Sequence, residues 1–308
     1  MPTFDGKVKE TPLRFARWKN ITPVMFRKIQ TFPIVVIVGF FSSCGVVKER
    51  PQPPNGGIGS SANIPLKEAK QKAADFFNKL GLAAMAESNY AKAIANFKRA
   101  TELTPNDPVL WKNLGEAYLF AKSYRKAEKS FLKALQLKPD YGDVLFDLGL
   151  LYYQMGNYKQ AVKWLLKAAN LDTYEERYKA YLLLAHVYKK LGNYKQYEYA
   201  LKKAIDLYPA YKEALLELAN YYYSKGALSS AESYYRLYLL EYPRDYEIKL
   251  RLAQVLKKEG KLKEAKLLLK GIIENCQNQD IVKIAYKEVN NILIKEAQQK
   301  LRNLKGSF

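Results

Sequence analysis

The sequence is poor in the residues that most often carry chemistry. Of 308 residues, two are cysteine (Cys44 and Cys276) and one is histidine, His186. Two cysteines cannot build a disulfide framework, and neither has a companion at metal-ligand spacing. A single histidine excludes the paired-histidine helix of a zinc protease. The glycine-rich stretch "GGIGSS" at Gly56 to Ser61 has no strand before it and no Lys-Ser/Thr after it, so it is not a phosphate loop. No grouping of acid, base and nucleophile stands out, and the chain reads as non-enzymatic, with no cofactor and no metal. Acidic residues are also scarce, 30 against 51 basic, a net charge of +21. Residues 1–43 hold seven basic and two acidic residues, which leaves +16 from Cys44 onward. That excess favours anionic surfaces such as phospholipid headgroups, nucleic acid or an acidic protein without choosing among them. With 48% hydrophobic and 26% charged residues the chain has enough apolar material for a core.

Long hydrophobic runs are missing too. The uncharged run from Phe32 to Phe41 is too short to span a bilayer comfortably as a helix. It follows Arg27 and Lys28 and precedes Ser42, Ser43 and Cys44, the layout of a secretory signal. A cysteine directly after the small residues resembles the bacterial lipoprotein signal. That resemblance implies cleavage before Cys44 and lipid attachment to it, with Phe41 where the family has an aliphatic residue. A start at Met25 instead of Met1 gives a signal of ordinary length. The alternative is an uncleaved anchor over about Thr31 to Val47. Residues 1–43 are thus expected to be extension and signal. Residues 44–65, dense in Pro, Gly and Ser, are expected to be a flexible tether reaching on the order of 25 Å.

From Ala74 onward the chain repeats itself. Gly-Asn-Tyr-Lys-Gln occurs at Gly156 and again at Gly192, and alignment in 34-residue lines makes columns appear. One reads Leu80, Leu114, Leu148, Leu184, Leu218, Leu252, and beside it stand Gly81, Gly115, Gly149, Ala185, Ala219, Ala253. Others hold Ala93, Ala127, Ala161, Tyr197, Ala231, Ala265 and Pro105, Pro139, Thr173, Pro209, Pro243. Apolar residues three and four apart give each helix one stripe to bury, small residues permit close approach, and proline stops the second helix. The line from Pro108 to Tyr141, "PVLWKNLGEAYLFAKSYRKAEKSFLKALQLKPDY", carries every signature position of the tetratricopeptide repeat, which this pattern resembles. The resemblance implies an all-α, right-handed superhelical solenoid. Its six helix-turn-helix repeats fall at about 74–107, 108–141, 142–175, 178–211, 212–245 and 246–279. A capping helix at 280–303 completes a solenoid over 66–303. In the fourth repeat Tyr197 interrupts the small-residue column, and two extra residues lie in "LDTYEERY". The expectation is a helix pair spread apart there, dividing the array into two sets of three repeats.

In such a solenoid the first helix of each pair lines the concave side. The groove is therefore assigned to first-helix residues outside the packing columns: Lys112, Asn113, Glu116, Phe146, Asp147, Leu150, Tyr153, Leu182, His186, Leu216, Asn220, Tyr223 and Arg251. Its middle is apolar and aromatic and its rim charged, which suits a peptide or helical segment anchored by apolar side chains. Glu116 and Asp147 stand where the family's carboxylate clamp needs asparagine, so no clamp of that kind is expected. A lone exposed histidine such as His186 is most simply inert.

A repeat array behind a lipidated cysteine resembles the pilotin-type lipoprotein of type IV pilus assembly. That resemblance implies a membrane-anchored scaffold for protein or peptide partners, an outer-membrane secretin or pilus components among them. It would sit in the bacterial cell envelope, lipid-anchored at the outer membrane and facing the periplasm, with no small-molecule substrate. The competing class is a basic helical-repeat nucleic-acid binder. The 34-residue period and the export signal disfavour it, since repeats that read RNA usually run longer.

Overall fold

The computed structural model describes residues 65–305, so Cys44, the extension, the signal and the tether up to residue 64 lie outside the described residues. Within them the chain forms thirteen α-helices, and no strand occurs among the described residues. The first helices of the pairs are α1 (Leu66–Ala86), α3 (Pro108–Phe120), α5 (Gly142–Gln154), α7 (Arg177–Lys190), α9 (Lys212–Ser224) and α11 (Tyr246–Lys258). The second helices are α2 (Tyr90–Leu103), α4 (Tyr124–Leu137), α6 (Tyr158–Ala169), α8 (Tyr194–Leu207), α10 (Leu228–Glu241) and α12 (Leu262–Asn275), and α13 (Gln279–Lys305) closes the series. Each helix packs on the one before and the one after, the nearest-neighbour arrangement of an all-α repeat solenoid.

Turn chemistry defines the pairs. Gly156, Gly192, Gly226 and Gly260 each end a first helix in the left-handed region, with φ of 71° to 80°. In the first two repeats Ser88 (φ 59°) and Lys122 (φ 57°) hold the same position. The side chains of Asn89, Asn157 and Asn193 then accept from backbone N–H groups three residues on and cap α2, α6 and α8. Asp245 caps α11 in the same way, and Asp107 caps α3 by accepting from the N–H of Val109, two residues on. Pro105, Pro139, Pro209 and Pro243 follow the ends of α2, α4, α8 and α10, where a missing donor costs nothing.

Inside each pair the small residues do what the columns suggest, with one refinement. A Cβ on Gly81, Gly115 or Gly149 would lie 2.4–2.5 Å from the side chain of Phe97, Phe131 or Leu165. The missing methyl thus makes room for a large side chain of the second helix. Phe97, Phe131 and Leu165 are fully buried in consequence, each contributing roughly 1.5–3 kcal/mol of hydrophobic stabilisation.

The expected division after the third repeat is not found. One core runs unbroken from Leu145 and Leu165 through Leu184 and Leu201 to Leu218, and α6 and α7 pack more intimately than any other two helices of adjacent repeats. Two tyrosines explain it. Tyr174, in the longer connection, is buried with its ring against Gly142, where a Cβ would come within 2.5 Å of the ring. The extra residues therefore deliver a plug. Tyr197 does not wedge α7 from α8: its ring meets Tyr221 of α9 at 5.2 Å, and its hydroxyl donates to Glu217 Oε2 at 3.3 Å.

Candidate functional site

First helices approach one another across the stack (α1 with α3, α3 with α5, α5 with α7, α11 with α13), and no two second helices come comparably close. The first helices therefore form the inner wall of the curve. Side chains along it meet in rungs that join residues 31 positions apart, one repeat less one helical turn. His186 Nε2 lies 2.6 Å from Glu217 Oε1, Arg251 donates to Asn220 Oδ1 at 3.3 Å, and Lys257 pairs with Glu288. A related link crosses the first junction, where Asn113 donates to Asn78 Oδ1 at 2.9 Å.

Between the second and third repeats the residues at this spacing are two carboxyl groups, Glu116 and Asp147, near enough for the charge of one to act on the other. Lys112 serves this site and donates to Glu116 Oε1 at 2.7 Å. Burial lowers the Lys112 pKa, but the charges of Glu116 and Asp147 outweigh it and hold the ammonium above its ordinary range. Asp147 is 8% exposed, and its Oδ2 is buried with no hydrogen-bond partner among the described residues. Burial first, then the Glu116 charge, pushes its carboxyl well above the usual carboxylate range, while Lys112 acts in the opposite direction. Tyr141 stands beside the cluster, and burial raises its hydroxyl too.

Phe146, Leu150 and Tyr153 of α5 stay half-buried and form an apolar stripe at helical spacing. Leu182 is 8% exposed and belongs to the core, so it offers a partner little. Leu216 is half-buried on α9, and Tyr223 lies beneath the Lys258 ammonium at 4.3 Å. Asn220 Oδ1 accepts from Tyr235 as well as Arg251, tying three helices together. His186 is not a lone side chain, because Glu217 joins it to Tyr197. Column reading missed Tyr141 and Tyr197, and also the pairing itself. The 31-residue spacing of complementary residues was the available signal. Among the described residues no helix is long and apolar enough to cross a membrane, and no group of three or more His, Cys, Asp or Glu is placed to hold a metal ion.

Comparison with known proteins agrees with this fold. The structure of Pseudomonas aeruginosa pilF superposes with a TM-score of 0.54 at 22% identity, covering 72% of this chain and 99% of that one. PilW, a type IV pilus biogenesis factor, superposes with a TM-score of 0.51 at 23% identity, covering 68% and 97%. At such identities the likeness establishes the fold. No curated protein matches the sequence. Residues 51–281 match the family model described as the cilia and flagella-associated protein 70 C-terminal domain. With three quarters of its length under that match, the chain belongs to this family and is a tetratricopeptide-repeat protein.

Proposed function

We propose that the protein is a membrane-tethered scaffold whose inner wall grips peptide or helical segments of envelope partners during assembly of a pilus or secretin. The observation that carries the reading is the α5 stripe of Phe146, Leu150 and Tyr153, accessible on the inner wall and framed by polar rungs above and below. An apolar strip inside a polar frame is what an extended or helical segment needs for anchorage and register. The pilus context draws on the fold shared with pilF and PilW. The tether reading draws on the apolar run before Cys44, with lipid on that cysteine and the repeats facing the periplasm.

A photo-crosslinking residue at Leu150 in the full chain, expressed in its own host, should capture envelope proteins that the same residue at Leu132 on α4 does not. Equal capture from both positions would refute the groove. Recovery of no secretin or pilus component would refute the pathway while leaving the scaffold intact. For the anchor, mass spectrometry of the mature protein should find a modified Cys44 as the first residue. An unmodified Cys44 behind an intact N-terminus would replace the lipid with an uncleaved anchor.

A further inference from the structure

Along the inner wall the rungs are complementary except at Glu116 and Asp147. The preceding rung shows what a purely structural residue does at the Asp147 position: Asn113, one repeat earlier in the same column, is buried and its amide donates to Asn78 Oδ1. Asp147 has no such partner for Oδ2, and a buried oxygen left unpaired destabilises the fold. The charges nearby do not compensate. Lys112 and Glu116 on α3 are committed to each other, Asp143 adds a second negative charge on α5 itself, and Tyr141 and Tyr174 bring only neutral hydroxyls. One ammonium thus serves both Glu116 and Asp147, and Asp147 also feels the charge of Asp143. The cluster sits at the head of the apolar stripe, with Phe146 adjacent to Asp147 and Leu150 one turn further on.

We infer that Asp147 is the seat for a lysine or arginine side chain of the bound segment, whose charged end pairs with the carboxylate while its stem lies along Phe146 and Leu150. This rests on the reading of the inner wall as a peptide groove. A long basic side chain meets both requirements at once, because its methylenes cover apolar surface and its head supplies the missing donors. Shielding from water makes such a pair stronger than one on an open surface.

The test uses the full chain and a fluorescently labelled, end-blocked peptide of Leu, Phe and Ala with one central position set to arginine, norleucine or glutamate, read by anisotropy. The arginine peptide should bind roughly tenfold tighter than the norleucine peptide, and the glutamate peptide weakest. Asp147→Asn should erase the arginine preference, keep norleucine binding, and raise the melting temperature by removing the unpaired charge. Lys112→Met, which frees Glu116, should enlarge the preference. Equal binding of arginine and norleucine peptides to the wild-type chain overturns the cation seat and leaves the groove standing. So does a lower melting temperature for Asp147→Asn. No binding of any of the three peptides overturns the groove reading and this inference together.

Discussion

Lys122 shows how a single backbone position limits the stability of its repeat. Four of the six hairpin turns place glycine in the left-handed region, whereas Lys122 occupies it with a side chain. That conformation costs an L-residue about 1–2 kcal/mol, against about 0.5–1 kcal/mol of extra unfolded-state freedom for glycine. Lys122→Gly should therefore stabilise the protein by about 0.5 kcal/mol or slightly more in urea titration. No gain would mean that the turn is held by contacts beyond its own backbone. Gly115 is the opposite case. An added methyl there would lie 2.5 Å from the buried ring of Phe131, and overpacking of this kind costs about 1–3 kcal/mol even after the gain in helix propensity. Gly115→Ala should lower the urea midpoint, whereas Gly271→Ala on α12, with open space around it, should raise it by about 0.5–1 kcal/mol.

Where two helices meet, the decisive features are side chains that close one junction. Tyr174→Ala should cost about 3–5 kcal/mol, the range for emptying a buried aromatic site, because the buried Tyr174 ring lies directly against Gly142. Among the described residues no hydrogen bond satisfies the Tyr174 hydroxyl, so Tyr174→Phe should be close to neutral. Equal losses from both substitutions would show that the ring is not what seals the longer connection. Glu232 on α10 accepts from Arg236 of the same helix and from Lys261 in the turn before α12, each at 2.6 Å. Burial alone would raise its carboxyl, but those two hydrogen bonds prevail and hold its pKa down at about 2. A depressed carboxylate contributes stability that is present above its unfolded pKa and is lost as pH falls through its folded one. The urea midpoint should thus fall between about pH 5 and pH 2, and Glu232→Gln should flatten that slope. An unchanged slope would locate the acid sensitivity elsewhere. Asp147 has the reverse sign: its raised carboxyl penalises the fold as pH rises through the carboxylate range, so Asp147→Asn should gain most over the wild type at neutral pH.

Across the whole molecule, charge is sorted by layer only in the second and third repeats, since the later first helices α7 and α11 carry an excess of Lys and Arg of their own. There the second helices α4 and α6 carry seven Lys and Arg against one Glu, while the first helices α3 and α5 carry Lys112 against Glu116, Asp143 and Asp147. The basic excess of these two repeats therefore lies on the second helices, away from the inner wall, and suits an anionic surface. The full chain should bind phosphatidylglycerol vesicles but not phosphatidylcholine vesicles. Binding should fall steeply as salt rises from about 0.1 to 0.5 M, and reversing Lys129 and Lys163 to Glu should weaken it. Charge reversal without effect would return the excess charge to a solubility role.

The sequence by itself determined the helix pairs, their turns and the repeat family. Those depend on spacings of three or four residues, on glycine where φ is positive, and on proline where a helix stops, all of which act within one repeat. It also placed Glu116, Asp147, His186, Asn220 and Arg251 on first helices, since their columns follow from the period. Only the tertiary structure decided that the two extra residues before α7 deliver Tyr174 as a plug, that Tyr197 turns to α9, and that Asp147 faces Glu116 without a partner. Each of those outcomes depends on how far one helix hairpin is displaced against the next. That displacement is about one helical turn, and it is set by packing across the junction, which no single repeat encodes.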